Sequence, residues 1–341
     1  MKRNLTFWGV VLFGTCAFST VAKAEDTTNR LTLSARFGFN VSAKFKGFSL
    51  GAPPASRTTP NGDTYNYDNG YVGGGGNIPP DISGNAGGQT WYWGYDSSAS
   101  QITGNTIVLT HSTGNTLPTS GSLGSDPSLG FELTYNRELG RHGNLRYGLE
   151  GALNYMDFSA QDNSSTLVRT TDAYPFAPGT TPPAATPANP YQGSYTGPGF
   201  VIGSTPVSST ATTIGRRRFD SDIWGFRLGP YVEAPLGKDV DLSVSGGLAA
   251  GLLSSSASYV QSSITDGGPR SDITIGGSDS DLLWGGYVSA NVSWQLDESW
   301  SVMGGVQYQN LGTYRHSFNG QQVELDLSNS FFIAVGLGYS F

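Results

Sequence analysis

The last nineteen residues, Val323 to Phe341, alternate apolar with small or polar side chains almost without a break. Phe341, Tyr339, Leu337, Val335, Ile333, Phe331, Leu327, Leu325 and Val323 fall on one side of an extended strand, and Asn329 alone interrupts them. Ser340, Gly338, Gly336, Ala334, Ser330, Ser328, Asp326 and Glu324 fall on the other side, where Phe332 is the one large exception. Side chains on a strand have a period of two, so this segment separates an apolar face from a small, polar one. Its length far exceeds the usual five to six or so residues of a strand. The chain must therefore build a tall sheet whose two faces meet different surroundings.

The same alternation predicts seven further strands, at Arg30–Phe45, Ser128–Glu138, Leu145–Phe158, Phe219–Pro235, Val240–Gln261, Ser280–Leu296 and Trp300–Tyr314. Strands of this length suffice to cross a bilayer, which takes about 9–11 tilted residues. The connections after the second, fourth and sixth strands are short. Those after the first, third and fifth span 48–127, 159–218 and 265–277. Asn319-Gly320 before the final strand is a type I′ hairpin signal. Eight of the 18 prolines lie in 159–218, which reads as irregular over most of its length. In the first long loop, Thr90–Asp96 and Ile102–Thr110 form a candidate hairpin that either decorates the loop or raises the strand count to ten. Pro230 predicts a bulge or bend. An open sheet edge is untenable in a membrane, so the last strand must close on the first. The expected fold is all-β: an antiparallel up-and-down transmembrane β-barrel of eight strands, with long extracellular loops 1 and 2.

Composition agrees with this reading. No apolar run after residue 24 approaches the roughly 18 residues of a helical span, and a mean hydropathy of −0.24 suits a barrel whose lipid-facing and lumen-facing residues alternate. Lys2 and Arg3, the apolar run Leu5–Val21 and the Ala22-Lys23-Ala24 site predict a signal peptide over 1–24 and a barrel over 25–341. The one cysteine, Cys16, lies in that signal, so the mature chain excludes disulfides, thiolate metal sites and a cysteine nucleophile. The signal also takes three of the 19 basic residues and none of the 26 acidic ones, which excludes a basic face for nucleic acid.

The ending on Leu337, Tyr339 and Phe341 resembles the terminal strand of bacterial outer-membrane β-barrels, which the barrel-insertion machinery reads as an insertion signal. With the strand architecture, the mature chain resembles the small outer-membrane barrels of the OmpA, OmpX and OmpW kind. The resemblance implies a monomer in the bacterial outer membrane with both termini periplasmic and no cofactor. Its partners would be outer-membrane lipid, lipopolysaccharide and the insertion machinery. Trp224, Trp284, Trp294, Trp300, Tyr155, Tyr314, Tyr339 and Phe341 near strand ends suit two interfacial girdles.

An eight-stranded barrel is just wide enough inside to be filled by side chains. Arg36, Glu132, Glu150 and Arg227 are the inward charges, and pairing among them is expected because bare charges are costly there. The chain thus reads as a structural or surface-interaction protein and not an enzyme. The second reading is a narrow channel or lateral-entry conduit for small, hydrophobic solutes, lined by Phe332, Tyr231 and Tyr287. Of the three histidines, His111 and His142 stand alone, while His316-Ser317 with Glu324 faces the objection that neighbouring side chains point to opposite faces. Glu324 and Asp326 are expected to line the outer mouth. Asp63, Asn66, Asp68 and Asn69 lack the spacing of a calcium loop and read as turn residues. Arg216, Arg217 and Arg218 at the outer rim either contact lipopolysaccharide phosphates or are balanced by Asp220 and Asp222. Tyr65, Tyr67, Tyr71, Trp91, Tyr92, Trp93 and Tyr95 make loop 1 either self-packed or a recognition surface for a glycan or protein.

Overall fold

The computed structural model describes residues 28–47, 50, 53–115, 119–124 and 127–341, so the expected signal segment 1–24 lies outside the described residues. Eight strands form one ring: β1 (Asn29–Phe39), β2 (Ser128–His142), β3 (Leu145–Pro175), β4 (Val207–Pro235), β5 (Val240–Thr265), β6 (Arg270–Gln295), β7 (Trp300–Asn310) and β8 (Ser330–Ser340). Each strand pairs antiparallel with the next, and β8 closes on β1 with Arg30 opposite Ser340 and Phe39 opposite Phe331. Thr28, Phe341 and the turns after β2, β4 and β6 lie at one end of the ring, the near end. Outward residues such as Leu33, Leu133, Phe226, Leu248, Trp284 and Val335 are 39–70% exposed. A water-soluble protein does not tolerate so continuous an apolar belt.

Strand number follows the sequence expectation, but strand height does not. β3 has 31 residues, β4 29, and β5 and β6 26 each. At about 3.3 Å per residue, β3 is about 100 Å long, against an apolar band about 25 Å tall in membrane barrels. The expected irregular loop 159–218 is therefore largely strand at both flanks. Its eight prolines all fall within 175–206, leaving 161–173 free to pair with 207–218. The expected loop 265–277 shrinks to residues 266–269, because Ile264 already pairs with Arg270.

The candidate hairpin 90–110 neither forms nor joins the ring. Trp93–Tyr95 pairs with Gly70–Val72 and Tyr191–Gln192, while Thr106–Asn115 lies beside the far part of β3. At Pro230 the β4–β5 pairing skips two residues without a register shift, so no bulge forms. The gap faces Gly246 and Gly247, where a Cβ on Gly247 would stand 2.3 Å from the Leu228 carbonyl oxygen.

Where four strands rise, the other wall folds over. β1 stops at Asn40, whose φ is 60°, β7 at Leu311-Gly312, and β8 begins only after Leu327–Asn329. Asn40 Nδ2 donates to the Asn329 carbonyl (2.8 Å), and the Leu311 and Leu327 amides donate to the Leu327 and Gly312 carbonyls (3.1 and 2.9 Å). Beyond these breaks, Ser42–Lys46, Thr313–Phe318 and Gln321–Asp326 form a separate three-stranded sheet. Asn319 (φ 47°) and Gly320 (φ 75°) make its type I′ turn. The expected continuous strands at 30–45, 300–314 and 323–341 are thus each divided in two. The physical reason is burial: Val41, Ala43, Phe45, Val323 and Leu325 continue the lipid-facing parity above the belt, where straight strands would hold them in water. Folded over, each is at most 1% exposed, packed on Phe158, Phe219 and Leu253. Tyr314, expected in a girdle, is 1% exposed within this core.

Candidate functional site

The lumen is filled in three layers. At the near end Arg30 meets Glu233 (2.6 Å), and Arg146 meets Glu233 (2.5 Å) and Asp241 (2.7 Å). Parity alone places these four inward, yet the sequence reading does not single them out. In the middle the four expected charges come together: Arg227 touches Glu132 (2.6 Å) and Glu150 (3.1 Å), and Arg36 stands 3.7 Å from Glu132. Tyr287 lies under the Arg227 guanidinium at 4.6 Å, and Phe332 under that of Arg36 at 3.6 Å. The near-end layer also holds buried Glu138, paired with Arg141 (2.5 Å), so positive and negative groups balance at three each there and at two each in the middle, and neither layer leaves net charge in the interior. The third layer, at the far mouth, is apolar and comprises Met156, Ile223, Leu311, Leu327 and Phe332.

Between the layers lie two cavities of about 20 Å³ each, one beside Arg36 and Asn154, the other between Glu132, Arg227 and Asn291. That is room for about one water molecule apiece. Glu132 Oε2, Asn154 Nδ2 and the Arg36 and Arg227 Nε atoms have no hydrogen-bond partner among the described residues, which suits such a water. Phe332, Tyr231 and Tyr287 line no common passage: Tyr231 and Tyr287 are 5% and 3% exposed, and Phe332 packs on Arg36.

The histidine constellation does not assemble as a Ser-His-acid group. His316 is buried, whereas Ser317 faces solvent. Glu324 binds Lys46 (2.7 Å) and Arg315 (2.9 Å) on the outer side of the small sheet, so it does not line the mouth, and Asp326 is exposed at the end of the same strand. A chain that the sequence does not disclose runs instead from Ser255 to Tyr314 (2.7 Å) to Asp279 (2.9 Å). Tyr314 donates to the carboxylate, so the Ser255 hydroxyl donates to Tyr314 and offers His316 Nδ1 only a 3.5 Å approach. A serine bound this way is not deprotonated by the imidazole.

The hydrogen bonds from Lys46 and Arg315 hold the Glu324 carboxyl below its usual value near 4.5. A carboxyl depressed by folding stabilises the folded form above its unfolded pKa and loses that contribution as pH falls through the folded value. Amide exchange in the three-stranded sheet, corrected for its intrinsic pH dependence, should therefore quicken as pH drops below about 4.5, and Glu324→Gln should abolish that pH response. Equal exchange in the parent and the variant across this range would exclude the linkage.

Arg217 does not reach the rim, since it is fully buried on Ser165 (2.8 Å) and Asp162 (3.5 Å). Arg218 is exposed but paired with Asp220 (2.7 Å). Asp157 and Asp222, directly opposed, separate both from the Tyr155–Trp224 row that ends the apolar belt. The basic triplet is thus split between two faces and stands beyond an acidic row.

Loop 1 is packed on itself and on loop 2. Tyr71, Tyr92, Trp93 and Tyr95 are at most 1% exposed. Trp93 donates to the Phe200 carbonyl (2.7 Å) and Tyr95 to that of Pro183 (2.6 Å). Burial pushes the Tyr71 and Tyr92 hydroxyls above their usual range. The candidate calcium residues are engaged in this packing: Asp63 accepts from Tyr92 (2.8 Å), and Asn66 donates to Val72 and Gly75 (2.9 Å each). Among the described residues no group of three His, Cys, Asp or Glu side chains converges on a metal position.

A closed eight-stranded antiparallel ring with an apolar outer belt and a polar, filled interior is an outer-membrane β-barrel of the small class. No protein-family model and no curated protein matches the chain. Among solved structures it is similar to Ail, the attachment invasion locus protein of Yersinia pestis, with 9% identity over 92% of this chain and 99% of that one and a TM-score of 0.29. It is similar also to the outer membrane protease OmpT of Escherichia coli, with 12% identity over 94% and 99% and a TM-score of 0.31. For a FadL homologue of Pseudomonas aeruginosa the values are 6%, 93% and 90%, and 0.19.

Proposed function

We propose that this chain is a non-enzymatic surface-interaction protein, in which a sealed monomeric barrel anchors a β-rich module outside the cell. In this reading a signal peptide over 1–24 is removed, Leu337, Tyr339 and Phe341 serve barrel insertion, both termini face the periplasm and the long strands rise from the outer leaflet. The observation that carries it is the filled lumen: two neutral ion-pair layers and an apolar layer leave voids of only about 20 Å³. Tall strands and a folded cap have no use in a pore that is already closed, but they lift loops 1 and 2 well away from the bilayer. Lipid contact rests on the apolar belt, and lipopolysaccharide contact at the rim falls to the exposed Arg216 and Arg218, since Arg217 is buried. Burial of the four central loop 1 aromatics leaves glycan or protein contact to the module's outer surfaces.

Purified protein in a planar bilayer should show no steady conductance of porin size. Protease added to intact cells should cut within 176–206 and leave a membrane-embedded core. A stable open conductance, or a module inaccessible from outside, would overturn the proposal.

A further inference from the structure

Beyond the point where β7 leaves the wall, β6 has a ladder partner on one side only, although Thr313–Phe318 packs against it at Gly277 and Asp279. Its last pair with β7 is Gly286–Asn310, whereas its pairing with β5 continues to Arg270. Among the described residues, the Arg270–Gly285 edge has no ladder partner.

Two other edges of the module are covered. Thr106–Asn115 is closed by the Asp68 amide donating to the Thr110 carbonyl (2.7 Å), by the Thr110 amide donating to Asn69 Oδ1 (2.9 Å), and by Gln101 Nε2 donating to the Val108 carbonyl (3.2 Å). Ser42–Lys46 is closed by Ala43 exchanging amide–carbonyl bonds with Leu123 (2.7 and 2.9 Å) and by the Phe45 amide donating to Ser120 Oγ (3.0 Å). An uncovered edge is a template for another strand, and proteins ordinarily blunt it. Here only Ile275, Gly277, Leu283 and Gly285 of the sixteen residues are less than exposed, and no proline breaks the run.

Charge selects the occupant. Asp272 is neutralised by Arg270 (2.8 Å), but Asp279 and Asp281 have no cationic partner among the described residues. Asp279 accepts from Tyr314 and Asp281 from the Leu282 amide. They stand two residues apart, hence on one face of the strand, with Ile273 (55% exposed) further along that face. A second copy of this edge would set like charges against one another, which destabilises a strand pair. A strand with Lys or Arg at alternate positions places a cation opposite each carboxylate.

We propose that Arg270–Asp281, the part of this edge beyond the apolar belt, is a β-addition site for an extended, cationic peptide segment, its backbone completing the ladder and its alternate basic residues facing Asp279 and Asp281. This rests on the surface-interaction reading, since the edge must be reachable from outside. The test uses the full folded chain in neutral detergent micelles and a fluorescent octapeptide of alternating Lys and Thr. Binding is expected by anisotropy, with slowed amide exchange confined to residues 270–281. Asp279→Asn with Asp281→Asn should weaken binding about tenfold while heat-modifiable gel mobility stays unchanged. A peptide with Pro in place of Thr lacks half of the backbone donors and should lose binding by about tenfold or more.

Equal affinity for the proline peptide, or binding without protection of the edge, would reduce the site to bulk charge attraction and overturn the proposal, as would absence of binding. Protection of the edge by self-association of unliganded protein would assign it to a second copy and overturn it equally. None of these outcomes touches the conductance and surface-protease measurements, so failure here and failure of the broader reading are separable.

Discussion

Replacing Arg227 with methionine is expected to destabilise the barrel by about 3–5 kcal/mol, since it leaves two carboxylates without their shared cation in a closed interior. Arg227 is 3% exposed and, among the described residues, is the one side chain that bonds both Glu132 and Glu150. Methionine keeps much of the volume against Tyr287 but supplies no donor, so the effect isolates charge from packing. The denaturant midpoint of folded protein, followed by heat-modifiable mobility, should drop clearly. Adding Glu150→Gln should restore most of the loss, because Glu132 keeps Arg36 at 3.7 Å and the layer is again neutral. A midpoint unmoved by the single change would mean that water hydrates these carboxylates, and the lumen would then have to be wider than its 20 Å³ voids allow.

That central cluster is legible in the sequence because it depends only on parity. In a barrel, every second residue of a strand that crosses the membrane faces inward, so alternation alone assigns Arg36, Glu132, Glu150 and Arg227. The same rule applied to Arg146, Glu233 and Asp241 reaches the near-end layer, whose residues flank turns and so carry a weaker signal. What alternation does not reveal is where a strand leaves the ring. Val323, Leu325 and Leu327 have the same parity as Phe331 and Ile333, yet the first three face a protein core and the last two face lipid. The difference arises at Asn329 and Asn40, where the chain breaks between β1 and β8, and a single asparagine in an apolar row carries little signal. The tall strands are hidden for a second reason. Ser, Thr, Gly and Asp dominate 254–281, a composition that reads as loop, although paired strands in water need no apolar face outward.

The cap supplies the second large effect. Phe45→Ala should cost about 3–5 kcal/mol, because the ring is fully buried and its neighbours belong to two different sheets that cannot both collapse into the space. The loss should be local. β1 and β8 are separated from Ser42–Lys46 and Gln321–Asp326 by the breaks at Asn40 and Leu327–Asn329, so the ring beneath keeps all eight of its ladders when the cap loosens. Protease is therefore expected to cut the Thr313–Asp326 hairpin in the variant and spare it in the parent, with heat-modifiable mobility preserved in both. Conductance should stay low even after this cleavage, since the central and near-end ion-pair layers lie below the mouth and do not depend on the cap. If opening the cap alone produces a stable current, the seal resides in the cap and the barrel is a gated conduit. If current appears only when Phe45→Ala is combined with Arg227→Met, the ion-pair layers are the seal, and the cap serves to hold the tall strands and their edge in place.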